Sequence, residues 1–378
     1  MNKILKDKNK KKKLLFITGT RAEYGLAKAT IFKLAQSPKI NFRLLATGMH
    51  TLKKYGLTLN EIKKDTAVHC VVPIQEKDDM LSALSKEIMG IKQYAQKEKI
   101  DAIIVIGDRD ETFAGATVGI HLNIPVVHVS GGDVSGPSVD HYLRNAMTIF
   151  SKLHLVQTKQ AAQNVIRLGA DPAHVHIVGS LGLHDLDPLQ LTNRQETARQ
   201  LKLNPGKPWY IVAHHPTPFE TTNFKNQIDS ALKALTKIDP VSEKIIFYPN
   251  SDEGSSVFIS SIEKLRNKKN YHIFKNLEHE LFLAALYHSQ AMIGNSSAGL
   301  FEAGYLKKPF ILVGNRQAGR ERGVNVIGAS YNSTAIAKAV HASASKPFQI
   351  KLDNTPSIYQ GGDVAGRVAR TVFEYLKV

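Results

Sequence analysis

Short apolar runs alternate along the chain with longer segments whose apolar residues recur at helical spacing. LLFIT (14–18), FRLLAT (42–47), CVVPI (70–74), DAIIVIG (101–107) and IPVVHVS (124–130) form a first series of runs. Between them, Tyr24–Gln36, 80-MLSALSKEIMGIKQYAQKEK-99 and a stretch near 111–122 carry the stripe of amphipathic helices. A second series comprises HLVQT (154–158), HIVGS (176–180), WYIVAHH (209–215), EKIIFYPN (243–250), YHIFKN (271–276), AMIGN (291–295) and PFILVG (309–314). Continuous apolar runs bounded by turns and separated by helices predict parallel strands covered on both faces. Two such series, of about seven strands each, predict an α/β protein of two doubly wound halves. The rhythm breaks at the polar stretch 181-LGLHDLDPLQLTNRQE-196, which is where the boundary is expected. Ligands of such sheets bind outside the carboxyl ends of strands, and with two halves the cleft between them is the expected site. The residues just after strands are therefore the ones to read for chemistry.

Length agrees with two domains, because 378 residues exceed the ~250–300 at which a single core stops growing. No apolar run approaches the ~18 residues of a membrane span, so no stable membrane insertion is expected. The formal charge is +17, of which the segment 1-MNKILKDKNKKKK-13 carries +6, leaving +11 elsewhere. A basic balance suits an anionic partner: nucleic acid, a membrane surface or a phosphorylated small molecule. Residues 1–13 read as a solvated, disordered arm, and they lack the apolar core of a signal peptide. The single cysteine, Cys70, excludes a disulfide within one chain and suits a reducing cytoplasm. It lies in the apolar run 68-VHCVVPI-74 and reads as an inert buried thiol. No Cys/His cluster has zinc spacing, and neither GxGxxG nor a P-loop is present. No metal, redox dinucleotide or ATP hydrolysis is therefore indicated.

Five strand ends carry chemistry. Thr18-Gly19-Thr20-Arg21 offers small residues and a guanidinium, which suit a phosphate. Asp108, after Gly107, is either an acid/base carboxylate or, with Asp110, a cap on the following helix. Ser130-Gly131-Gly132-Asp133, continuing through Ser135, Gly136, Asp140, His141 and Arg144, places two carboxylates in or just after a glycine loop. They are either solvated or used. His214-His215-Pro216 ends another strand with an imidazole that can titrate near neutrality. The fifth is 294-GNSSAG-299 followed by Glu302. Two hydroxyls at a helix start suit phosphate oxygens, and a carboxylate farther along suits a ribose diol. Simple N-capping explains one hydroxyl, but not two with the acid and the arginines of 314-GNRQAGR-320.

These motifs occur together and in order: TGTRAEYG (18–25), GDR (107–109), HVSGGDVSG (128–136), HHP (214–216), YPNSDEG (248–254), GNSSAG with Glu302, GNRQAGR and YQGGDVAGRVAR (359–370). In this the chain resembles the hydrolysing UDP-N-acetylglucosamine 2-epimerases of sialic-acid and legionaminic-acid biosynthesis. The resemblance implies a GT-B-like architecture of two Rossmann-like domains, 14–185 and 186–358. A C-terminal helix within 359–378 would return to the first. It implies anti elimination of UDP from UDP-GlcNAc or a 4-acetamido-6-deoxy relative, and then hydration of the glycal to a free C2-inverted sugar. It implies Asp108, Asp133, Asp140 and His215 as catalytic residues. It further implies Arg21, Asn250, Asp252, Ser296, Ser297, Gly299, Glu302 and Arg316 as nucleotide-sugar contacts. No cofactor or nucleic acid is implied, and a cytoplasmic homodimer or homotetramer is.

Ser130 departs from the family, many members of which have Glu there. Serine has no useful pKa, so a second acid/base beside Asp108 would be Asp140, which the family keeps as Asp, or else Asp133. A GT-B glycosyltransferase and a non-catalytic nucleotide-sugar sensor are the competing readings.

Overall fold

The computed structural model describes residues 11–134, 139–250 and 252–378. The chain before Lys11, together with Ser135, Gly136 and Ser251 of the motifs above, lies outside the described residues. The described chain falls into two compact units, one running to Asp185 and including Gly361–Val378, the other Leu186–Gln360.

The first unit is built on seven strands: β1 (Lys12–Thr18), β2 (Ile40–Ala46), β3 (Cys70–Val71), β4 (Ala102–Ile106), β5 (Val126–Val129), β6 (Leu153–Val156) and β7 (Val175–Ile177). They lie in the order β3-β2-β1-β4-β5-β6-β7, all parallel. The apolar runs are continuous because both faces are buried. Leu14 and Phe16 pack on one side with Ile31, Leu34, Val368 and Val372. Leu15 and Ile17 pack on the other with Ile91, Val105 and Met147. Each such side chain removed from water contributes about 1.5–3 kcal/mol.

Helices α1 (Arg21–Ala35), α2 (Leu59–Asp65), α3 (Met80–Glu98), α4 (Asp110–His121), α5 (Val139–Phe150) and α6 (Lys159–Arg167) alternate with the strands. Local signals set several of their ends. Thr20 accepts from Glu23 N at the start of α1, and Asp79 accepts from Ser82 N at the start of α3. Lys99, at φ 54°, closes α3. The C-terminal helix Val364–Leu376 belongs to this unit, where Arg367 Nε donates to Val178 O at 2.8 Å.

The second unit holds β8 (Trp209–Ala213), β9 (Glu243–Phe247), β10 (Tyr271–Phe274), β11 (Ala291–Gly294), β12 (Phe310–Val313) and β13 (Val326–Ala329). Their order is β10-β9-β8-β11-β12-β13, again all parallel.

Three expectations need correction. The HLVQT and HIVGS strands, grouped by rhythm with the second series although they precede the expected 181–196 boundary, complete the first sheet. β13 was not expected: VIGA is a short, half-exposed edge strand with a glycine, and its apolar signal is weak. Lys12 and Lys13 are not part of a disordered arm. They pair in β1 with Ile40 and Asn41, and Lys13 Nζ reaches Glu98 O at 2.6 Å and Glu98 Oε2 at 3.2 Å. Their charge stays at the sheet end while the backbone joins the ladder.

Candidate active-site residues

Strand order reverses between β1 and β4 in the first sheet, and between β8 and β11 in the second. Such switch points open a crevice at the carboxyl ends of the strands. The sequence-selected residues gather there in each unit.

In the first unit, Arg21 stands in the first turn of α1, its exposed guanidinium paired with Glu61 at 3.1 Å. Exposed pairs of this kind are worth about 0–1 kcal/mol, so an anion can displace Glu61 at small cost. Gly107 turns the chain after β4 at φ 74°. The capping reading of Asp108 and Asp110 fails, because α4 starts at Asp110 behind Arg109 and has no side-chain cap bond. Asp108 instead accepts a hydrogen bond from Arg144 Nη2. Arg144 is buried on α5, and its Nη1 donates to Asp133 O at 2.8 Å. Gln157 Nε2 donates to Asp133 Oδ2 at 2.6 Å. One guanidinium therefore joins the Asp108 and Asp133 loops. Asp140 is exposed in the first turn of α5. Burial raises the Asp110 carboxyl above its usual range; Arg109 opposes this and the Asp140 charge adds to it, so those two carboxylates are neighbours. Ser130 sits in the left-handed region at φ 62°, a conformation that serine rarely adopts.

Beneath these loops lies a group of carboxyls that sequence reading missed. Glu111 is buried and accepts from Arg109 Nε at 3.2 Å. Its carboxylate presses on two glycine backbones: a Cβ at Gly19 or Gly48 would come within 2.4 Å of it. Burial, and then the Glu111 charge, push Glu23 and Glu87 up to about 8 each. The Glu23 oxygens have no hydrogen-bond partner among the described residues, whereas Thr47 Oγ1 donates to Glu87 at 3.1 Å. Both glutamates lie in amphipathic helices, where an acid reads as surface. The available signal was a pair of glycines just after β1 and β2.

In the second unit, His215 follows β8. Its backbone is clamped by Asn295, whose Oδ1 accepts from His215 N at 2.7 Å and whose Nδ2 donates to His215 O at 2.8 Å. Asn250 N donates to His215 Nδ1 at 3.0 Å, so the neutral ring carries its proton on Nε2. Burial, and next the Arg316 charge, lower this imidazole to about 4, with Asp252 opposing them. His215 is therefore a neutral hydrogen-bond donor at physiological pH. Asn250 Nδ2 donates to Asp252 Oδ2 at 2.5 Å, and Arg316 lies 3.6 Å from the same oxygen. His214 is buried between Phe258 and Tyr331 and serves the core.

The GNSSAG segment differs from its expected form. It is a 3-10 turn, Ser297–Gly299, followed by a helix of one turn, Glu302–Tyr305, so no long helix dipole stands behind it. Gly294 is required there, because a Cβ would lie 2.1 Å from Ala213 O. Gly299 serves packing: its N–H is used on Ser296 O, its carbonyl accepts from Asn325 Nδ2 at 3.0 Å, and a Cβ would strike the Phe310 ring. Ser296 accepts from Ala298 N at 3.4 Å. Burial raises the Glu302 carboxyl, and its Oε2 is buried with no partner among the described residues. Such an oxygen is costly unless a ligand supplies the missing donor.

Residues 32–372 match the sequence profile of the UDP-N-acetylglucosamine 2-epimerases. The chain belongs to this family. Among its relatives is the Legionella pneumophila UDP-N,N'-diacetylbacillosamine 2-epimerase (hydrolyzing), 33% identical over 91% of each chain. Another is the polysialic acid biosynthesis protein P7 of Escherichia coli, 30% identical over 97% of this chain and 95% of that one. The fold is that of the crystal structure of the Neisseria meningitidis UDP-GlcNAc 2-epimerase bound to UDP-GlcNAc. The TM-score is 0.80 at 18% identity, over 96% of this chain and 100% of the other. Among the described residues, no helix is long and apolar enough to cross a membrane.

Proposed function

We propose that the protein is a hydrolysing nucleotide-sugar 2-epimerase. It converts UDP-GlcNAc, or a 4-acetamido-6-deoxy relative such as UDP-diacetylbacillosamine, to UDP and the free C2-inverted hexosamine. The observation that carries the reading is family membership over most of the chain, with a relative of like length named for the hydrolysing reaction. The profile spans GDR (107–109) and HVSGGDVSG (128–136) of the first unit as well as the second-unit motifs, so a glycosyltransferase sharing only a diphosphate site has nothing specific in its favour.

In elimination a base removes the C2 proton while the C1–O bond to UDP breaks, leaving a 2-acetamidoglucal. Water then adds its oxygen to C1, and C2 is reprotonated on the opposite face. Asp108, oriented by Arg144, and Asp140 are the acid/base pair, with Asp133 as the alternative to Asp140. His215 donates its Nε2–H to the departing diphosphate, which gains charge as the bond breaks. Arg21, Arg316, Ser296 and Ser297 bind phosphate oxygens, the Asn250–Asp252 pair orients Arg316, and Glu302 accepts from the ribose diol. A homodimeric or homotetrameric cytoplasmic enzyme completes the reading.

Incubation with UDP-GlcNAc and UDP-diacetylbacillosamine in D₂O, followed by NMR, tests it. Free UDP and a free C2-inverted sugar deuterated at C2 are expected. An epimerised but intact nucleotide sugar would overturn the hydrolysing assignment.

A further inference from the structure

We propose that His128 is a positioning residue for Asp108. Its ring, bonded through Nε2 to the Gly107 carbonyl, fixes the strand-end turn that presents the Asp108 carboxylate.

His128 is the third residue of β5 and is fully buried. Its Nε2 lies 2.8 Å from Gly107 O, and its Nδ1 lies 3.2 Å from Thr148 Oγ1 on α5. A carbonyl oxygen only accepts, so Nε2 carries the hydrogen. Nδ1 of the neutral ring then accepts from the Thr148 hydroxyl. The turn at Gly107 is thus held on both sides, because its N–H donates to Val129 O at 2.9 Å. The next residue is Asp108, and its carboxylate reaches Arg144. Arg144 and Thr148 stand four residues apart on α5, on one face of the helix. One face therefore supplies both the group that sets the imidazole tautomer and the group that orients the carboxylate. Gly131 leaves room for the ring, since a Cβ there would lie 2.8 Å from His128 Nδ1.

The ring is not itself an acid or base. Burial, with smaller contributions from the neighbouring His154 and Arg144 charges, lowers it to about 3 against the pull of the Gly107 bond. It is neutral throughout the working range and acts as a fixed strut. A displacement of about 1 Å at a reacting group can cost roughly 10²-fold in rate.

The inference rests on the 2-epimerase reading for its kinetic arm and stands without it for its structural arm. His128→Leu keeps an apolar side chain in the site and removes the donor to Gly107. His128→Gln keeps a donor near the Nε2 position, and Thr148→Val removes only the tautomer-setting hydroxyl. The expected result is a kcat about 10²-fold lower for His128→Leu, with KM and UDP affinity within about threefold of wild type. His128→Gln is expected to regain at least about tenfold of that loss, and the bell of the pH–rate profile should stay in place in both variants. Hydrogen exchange at the amides of residues 107–110 should speed up in His128→Leu and Thr148→Val. Wild-type kcat in His128→Leu, or unchanged exchange in that segment, would overturn the inference. If the wild type turns over neither nucleotide sugar, the functional reading fails, and the exchange measurement still decides the role of His128. If His128→Leu does not fold, Thr148→Val with unchanged exchange and rate would overturn the inference alone.

Discussion

Replacing Glu302 by Gln separates what this carboxylate does for the free protein from what it does for the ligand. In the free protein its Oε2 is buried without a partner, and burial pushes its carboxyl upward. The isosteric neutral amide removes that buried charge, so the free variant should be at least as stable as wild type. With ligand the sign reverses. A hydrogen bond to a charged acceptor is worth about 1.5–3 kcal/mol, roughly twice a neutral one. Gln keeps one acceptor oxygen, uncharged, and presents an amino group where the second oxygen stood. One of two diol bonds is lost and the other weakened by about half, a loss of about 2–4.5 kcal/mol. That corresponds to a rise in the Kd of UDP of roughly 40-fold or more. The ribose does not change during the reaction, so ground and transition states lose equally. KM should rise while kcat stays within about threefold. Calorimetric titration with UDP, steady-state kinetics and thermal melts with and without UDP provide the test. A kcat lowered 100-fold with an unchanged Kd for UDP would refute the ribose role. A free variant clearly less stable than wild type would refute the argument from burial.

Asp140→Asn should lower kcat by roughly 10²–10⁴ with UDP binding near normal, and Asp133→Asn should do less. Wild-type turnover by Asp140→Asn beside a dead Asp133→Asn would exchange their roles, and two fully active variants would make the loop structural. Glu23→Gln should alter the pH dependence of stability. The folded-state value of Glu23, about 8, lies above the ordinary 4.5, so the folded protein keeps a proton that the unfolded chain has lost between those values. Stability therefore falls as pH rises through that window, by about 1.4 kcal/mol per pH unit for this group. Urea melts of Glu23→Gln should match wild type at pH 5 and exceed it by about 2–4 kcal/mol at pH 8. Parallel curves would show that Glu23 is not held neutral by the fold.

The sheets were legible because parallel strands buried on both faces write themselves as unbroken apolar runs, as LLFIT and AIIVI do. The edge strand VIGA was not, because a strand with one neighbour and half its surface in water needs no such run. The candidate site residues were chosen by position, because ligands of such sheets bind at strand ends beside a switch point. Their pairings were not legible. Nothing in the spacing says that Arg144 bonds Asp108 thirty-six residues earlier. Nor does it say that Glu111 lies against Gly19, a contact made only when β1 and α4 pack. Capping failed as a guide at Asp108 because a carboxylate within reach of a buried guanidinium makes a stronger bond there than to a helix N–H. At Gly299 the structure adds a reason the sequence did not show: a Cβ there would strike the Phe310 ring.

The first-unit carboxylates bear on which acid/base pair the proposed reaction would use, since Ser130 supplies no carboxylate of its own. A reaction that removes a proton from one face of C2 and returns one to the other needs two groups in unlike surroundings. Two of the three candidates are coupled here. Arg144 bonds the Asp108 carboxylate and the Asp133 carbonyl at once, and Gln157 holds the Asp133 side chain. A change at either should disturb the other, so their substitution effects should not add. Asp140 belongs to neither bond network and stands exposed at the start of α5, with Asp110 as its charged neighbour. The pair that differs most in environment is therefore Asp108, half-buried against the Arg144 guanidinium, and Asp140, at the solvent edge.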